Sequence, residues 1–208
     1  MEAALNIHAS PSISTFAVSR EMNLQESTIS NNRIPAETEL IDAAKKDAEK
    51  FEPLYKQYHE AILRFVYQRL DDKETAFDIT HQVFLKALTN IKKYEHRGLP
   101  FSSWLYRIAF NELNMLFRER KAQRTMNIRS AHVNEIAEEI EENNSDNYEK
   151  MLQLLPSLPE DELYMIEMRF FEKRSFKEIA EILETNEANA KMKLYRILER
   201  IKKNLTTK

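Results

Sequence analysis

The chain of 208 residues contains no cysteine. That excludes a disulfide framework and any thiolate metal site, and it fits a reducing compartment. Glycine is almost as scarce: Gly98 is the only one. A chain with one glycine has no glycine-rich loop to cradle a phosphate and few positions for tight primed hairpins. No apolar run approaches the ~20 residues that a membrane span needs. The segment from Met1 to Asn32 has no basic stretch followed by an apolar core, so it does not read as a signal peptide, and a cytoplasmic protein is expected. The histidines at 8, 59, 81, 96 and 132 show no ligand spacing with each other, so no metal and no cofactor are expected. The acidic pairs Glu138-Glu139 and Glu141-Glu142 lie in a solvated stretch rather than a cleft, which argues against an enzyme.

What remains is rich in Ala, Leu, Glu and Lys, all helix formers, and an all-α fold is the default. The formal net charge of −3 hides an uneven distribution. Lys86 to Arg129 holds ten Lys/Arg against three acids, and Glu187 to Lys208 holds seven against two. Between them, Ser130 to Lys150 carries seven acids and one lysine. Two basic blocks flanking an acidic one can offer phosphate-binding surfaces that the sum conceals.

Residues 1–36 are rich in Ser, Asn and Thr without apolar periodicity and read as a disordered extension. Helical patterning begins near Thr38 and runs through Leu54, Ile62, Val66 and Leu70. Asp71-Asp72 is a break and cap for a helix of about 73–94. A loop comes next at Glu95–Pro100, where the glycine and a proline coincide. Ser102 or Ser103 is placed as the cap of a further helix from Trp104 to about Gln123, with Phe101, Trp104, Leu105 and Ile108 as its core stripe. The acidic stretch 126–150 reads as a flexible linker with some helical content. A second domain then spans 151–205, with helical segments at about 160–173, 175–183 and 187–204.

The last two segments have the marks of a helix-turn-helix. Ser175 is an N-cap with Glu178 at the reciprocal position of a capping box. Ala180 is small where two helices must approach. Glu184-Thr185-Asn186 is a turn of suitable length, and Asn186 can cap the next helix. In that helix Ala190, Leu194, Ile197 and Ile201 face inward. Asn189, Lys193, Arg196 and Arg200 share the neighbouring outward face. Asn189 and Lys193 are placed to reach base edges; Lys191, Arg196 and Arg200 suit phosphates.

Across both halves, residues 38–205 resemble the extracytoplasmic-function (ECF) subfamily of sigma-70-type factors. The carriers at the C-terminal end are Leu158-Pro159-Glu160, Met168 to Glu172, Ser175 to Ala180, and Asn189 to Arg196. At the N-terminal end they are Phe51 to Tyr55 with Tyr58, then Ala76, Asp78, Ile79, Phe84, Leu85 and Ala87, then Phe101 to Ala109 with Asn111. The resemblance implies a first domain at 37–125 that binds core RNA polymerase and the −10 element, and a second at 151–205 that binds the −35 element. It implies that Asp78, His81, Gln82 and Phe84 dock on the β′ clamp helices, with the β flap as a further polymerase contact. Lys92, Lys93, Arg97, Arg107, Asn111, Asn114 and Arg118 would hold a melted −10 strand, with Arg120, Lys121 and Arg124 beyond them. Tyr106 and Phe110 are the candidates for stacking on bases, and Trp104 belongs to the core. Asn186, Asn189, Lys191, Lys193, Arg196 and Arg200 would hold the −35 element. Promoter DNA, core polymerase and an anti-sigma factor are the implied partners.

The sequence departs from the family at Phe77, His81 and Gln82, where Glu, Gln and Glu are usual, at Phe110, and at Glu184, where the turn often has glycine. Two other readings use part of the chain: a stand-alone helix-turn-helix regulator on an operator, and a polymerase-binding adaptor that never touches DNA.

Overall fold

A computed structural model describes residues 37–70, 72–120, 136–137, 139–140 and 145–206. Among these there is no strand. Helix α1 spans residues 37–46, α2 Glu52–Tyr67, α3 Lys73–Asn90 and α4 Phe101–Arg120. Helix α5 spans Ser145–Leu154, α6 Glu160–Ile166, α7 Phe176–Ile182 and α8 Glu187–Thr206. The N-terminal extension, most of the linker, and Lys121 and Arg124 lie outside the described residues.

Helices α2, α3 and α4 pack on one another around Leu54, Ile62, Phe65, Val83, Phe84, Phe101 and Leu105, all buried. Side chains of this kind contribute about 1.5–3 kcal/mol each when fully withdrawn from water. Asp72 caps α3 as expected, accepting from the amides of Glu74 and Thr75. The start of α4 differs from expectation. The helix begins at Phe101, so Ser102 and Ser103 sit inside its first turn rather than before it. The Phe101 amide donates instead to Glu37 Oε2 at 2.8 Å, a buried carboxylate arriving from α1. A charged acceptor on an orphan helical amide is a strong hydrogen bond and suits the positive end of the helix dipole.

The second helical unit starts earlier than Met151: α5 opens at Ser145. Part of the segment assigned to the linker also meets the core, since Ile136 and Ile140 are buried. Helix α6 runs into a π turn, Glu167–Phe171, which adds a residue to the turn and rotates the chain beyond it. Helices α7 and α8 form the expected pair. The Ser175–Glu178 capping box is complete, and Asn186 Oδ1 accepts from the Asn189 amide at 2.8 Å. Ala190, Leu194, Ile197 and Ile201 are buried, joined by Leu198 and Leu205.

Glu184, in the turn, takes a left-handed φ of 52°. An L-residue there costs roughly 1–2 kcal/mol, and glycine gives back part of the gain through its freer unfolded chain. Glu184→Gly is therefore expected to stabilise the fold by about 0.5–1 kcal/mol. The check is a higher urea midpoint at an unchanged m-value.

The two units are in contact. Helix α7 lies along α4, so the first helix of the helix-turn-helix packs directly on the helix assigned to the −10 element. At the heart of this seam, Arg69 and Glu167 form an ion pair that is 1% and 3% exposed.

Candidate nucleic-acid interface

The sequence nominates three surfaces, and the seam between the units determines what each one presents. The first is the outer face of α3. Asp78, His81 and Gln82 are exposed there, on one stripe, while Ala76, Thr80, Val83 and Ala87 fill the opposite, buried face. Phe84 falls on the buried side. Its ring stands 4.8 Å from Tyr55 and 6.5 Å from Phe51, centroid to centroid, so it supports the face from beneath and cannot dock on a partner. Leu85, one of the residues that carry the family resemblance, is exposed beside Gln82 and is the apolar member the stripe lacked. The signal was available: Leu85 stands seven residues after Asp78 and four after His81, on their face.

The second surface is the cleft between the 91–97 segment and α4, with a volume of about 400 Å³. Lys86, Lys93, Arg97, Arg107 and Asn111 line it beside the carboxylates of Glu95, Glu112 and Glu181, with Trp104 and Tyr94 as flat walls; Lys86 pairs with Glu112 at 2.5 Å. Lys92 and Arg118 are exposed nearby and Asn114 is half-buried. Trp104 is not wholly core. It packs on Tyr94 at 4.8 Å and Phe101 at 5.4 Å, yet one side borders the cleft. A cleft with cations on its rim and aromatic walls can take the phosphates and a base of a single strand.

The two stacking candidates are placed otherwise than expected. Tyr106 is 1% exposed, its hydroxyl donating to Glu172 Oε2 at 2.7 Å and its ring lying beneath the Arg174 guanidinium at 4.2 Å. Phe110 meets the Tyr164 ring edge-on at 4.3 Å. Tyr106 is covered by the second unit, while Phe110 leans on it and stays half-buried. Burial, with the Glu172 carboxylate adding to it, pushes the Tyr106 hydroxyl up to about 12. Burial likewise pushes Tyr94 up to about 12. A raised phenol pKa gives stability that is whole below pH 10 and lost as pH climbs through 12. For Tyr106 the loss is on the order of 2–3 kcal/mol. Urea melts across that range should show the decline, and Tyr106→Phe should flatten it.

The third surface is the exposed face of α8. Asn189, Lys191, Arg196 and Arg200 are exposed, and Lys193 is half-buried. A groove along this face is lined by Asn189, Lys193, Arg196 and Arg200 together with Thr185 and Met192. Asn186 is held to the cap of the helix rather than aimed outward. Lys193 pairs with Asp161 and Arg200 with Glu162, both at the start of α6. Lys191, Arg196 and Asn189 thus form the part of the face set toward solvent.

The geometry has a counterpart among known proteins. The family model "Sigma-70 region 2" matches residues 54–123, which covers α2 to α4 and the cleft. "Sigma-70, region 4" matches residues 148–201, which holds the helix-turn-helix. The chain belongs to the sigma-70 family, in its ECF branch. Among curated relatives, RNA polymerase sigma factor YlaC of Bacillus subtilis is 28% identical over 77% of this chain and 95% of its own length. ECF RNA polymerase sigma factor BldN of Streptomyces coelicolor is also 28% identical, over 76% of this chain and 61% of its own length. ECF RNA polymerase sigma factor SigM of B. subtilis is 25% identical over 72% of this chain and 91% of its own length. Among solved structures, CnrH in complex with the cytosolic domain of CnrY shares the fold. Its TM-score is 0.55 at 17% identity, with 82% of this chain and 97% of that chain covered. Among the described residues, no helix is long and apolar enough to cross a membrane.

Sequence reasoning missed the residues that join the units: Arg69, Glu167, Glu172, Arg174 and Glu181. Each looks like an ordinary surface charge on its own helix. Their partners lie 66 to 98 residues away, and no local periodicity records such a pairing.

Proposed function

We propose that this chain binds core RNA polymerase and directs it to promoters, where it helps melt DNA and start transcription. The observation that carries the reading is that both sigma-70 regions are present, in order, on one all-helical chain. Exposed α3 residues Asp78, His81, Gln82 and Leu85 form the polymerase-docking stripe. The cleft under Trp104 and Tyr94, with Lys93, Arg97, Arg107 and Asn111, takes the melted −10 strand. The face of α8 with Asn189, Lys191 and Arg196 reads the −35 duplex, its basic residues supplying salt-dependent phosphate contacts.

No covalent chemistry is asked of this subunit. Strand opening comes from captured bases binding the cleft better than the paired bases bind the protein. Its place of action is the cytoplasm, beside the polymerase. The stand-alone regulator leaves the cleft without a use, and the adaptor leaves both cationic faces without one. The test is run-off transcription from a promoter library with bacterial core polymerase. Transcripts from a defined subset of promoters, dependent on this chain, are expected. Duplex binding without polymerase, or polymerase binding without transcripts, would overturn the proposal.

A further inference from the structure

The buried row Ala190, Leu194, Ile197 and Ile201 fixes which way α8 points. At about 100° per residue, the position directly opposite that row is Met192. It is 54% exposed, an apolar side chain at the crown of a cationic face. Asn189 stands three residues before it and Arg196 four after, and all three border one groove. Lys193 and Arg200 border the same groove, but they are drawn toward α6 by Asp161 and Glu162. The outermost side chains of the reading face are therefore Asn189, Met192 and Arg196. We infer that Met192 is a specificity-determining residue: its thioether end packs on the 5-methyl group of a thymine in the −35 duplex, beside an adenine held by Asn189.

This rests on the −35 role proposed for α8 above. In the major groove thymine alone presents a methyl group, and an apolar side chain is what recognises it. A side-chain amide matches the N6 donor and N7 acceptor of adenine. Asn189 lies in the first turn of α8, the part of a recognition helix that meets base edges. Its backbone amide is fixed to Asn186 Oδ1, which holds that turn in place. Met192 follows about 4.5 Å further along the axis, and neighbouring base pairs are about 3.4 Å apart. The two side chains thus address adjacent pairs, and Arg196 one turn on is placed for a phosphate. Methionine suits the contact, being unbranched, polarisable and able to adapt its torsions to a flat edge. A single exposed apolar residue is ordinary on a protein surface. What sets Met192 apart is its place, among the exposed charges Glu187, Lys191, Arg196 and Glu199. A protein surface is the other occupant that such a residue invites. Charge favours DNA, since Glu187 to Lys208 holds seven Lys/Arg against two acids, and a cationic surface draws a polyanion.

The test uses the full chain assembled with bacterial core polymerase, on a promoter it uses in run-off transcription. Each −35 thymine, on either strand, is replaced in turn by deoxyuridine, which pairs alike and lacks only the 5-methyl group. Promoter affinity is read by competition. At one position the wild-type complex is expected to bind about fourfold more weakly, the worth of one methyl group withdrawn from water. Met192→Ala should weaken binding to the thymine template, and deoxyuridine at that position should then cost nothing further. Met192→Leu keeps an apolar end and should keep the discrimination. Met192 is exposed, and alanine and leucine are both strong helix formers, so both variants are expected to fold.

Equal binding of thymine and deoxyuridine at every position would overturn the inference, as would an element with no thymine on either strand. So would a methyl preference that survives Met192→Ala. If that variant also assembles poorly with core polymerase, the residue belongs to a protein contact instead. Run-off transcription by the wild-type chain separates this inference from the −35 role. If the chain initiates without a methyl preference, only the Met192 contact fails. If it never initiates, the promoter role itself fails, and the Met192 contact with it.

Discussion

Glu167→Ala is expected to cost about 3–5 kcal/mol, as much as truncating a fully buried core side chain. The carboxylate accepts a hydrogen bond from Arg69 Nε at 3.1 Å and forms an ion pair with Nη2 at 2.8 Å, and both side chains are almost wholly out of water. The Arg69 guanidinium also stacks on the Phe65 ring at 3.5 Å and donates to the Phe65 carbonyl. Deleting the acid leaves a cation that is desolvated and cannot give up its proton. The chain has one inexpensive escape: the pair spans the seam, so parting the units returns Arg69 to water. Urea unfolding should therefore change from one transition to two, with the first at low denaturant and each unit melting separately. The apolar exchange Arg69→Met with Glu167→Leu should restore a single transition, because well-packed apolar pairs replace buried ion pairs at little cost. A single transition with less than about 1 kcal/mol of loss in Glu167→Ala would show that the pair is solvated in solution.

The contrast between Glu167 and Ser175 shows what the sequence could and could not reveal. Ser175, Asp72 and Asn186 were legible as caps because a cap acts on amides two or three residues away, and the pattern is written locally. The inward row of α8 was legible for the same reason: its period is that of the helix itself. Phe84 was taken for a docking residue in place of Leu85 because adjacent residues differ by only about 100° around a helix, and family likeness does not resolve which faces the core. The cap of α4 was assigned to nearby serines, whereas Glu37 reaches it from 64 residues earlier. The full covering of Tyr106 was beyond reach, since it depends on how one unit lies on another. Residue types said that this segment bears aromatic and cationic groups. Only the packing shows that Glu172, Tyr164 and Glu181 occupy them.

Arg107 carries the second large effect, because two of its roles pull in opposite directions. In this structure it pairs with Glu181; in the function proposed above it holds a promoter phosphate beside the cleft. Arg107→Ala removes an ion pair whose members are 26% and 21% exposed, so little stability is lost. Removing a phosphate contact at a cleft that must outcompete base pairing costs more, about 1–3 kcal/mol, or roughly 5- to 150-fold in open-complex formation. The expected result is a chain that folds and binds core polymerase normally but yields few transcripts from a duplex promoter. A template already unpaired around the start site should recover much of that loss, because the protein no longer has to win strand capture against pairing. Glu181→Gln should do the reverse in free protein, loosening the seam while leaving the cleft's cations in place. Arg107→Ala that transcribes at the wild-type rate from a fully paired promoter would move the −10 grip to other residues of α4. Asn111 would be first among them, exposed one helical turn further along the same face.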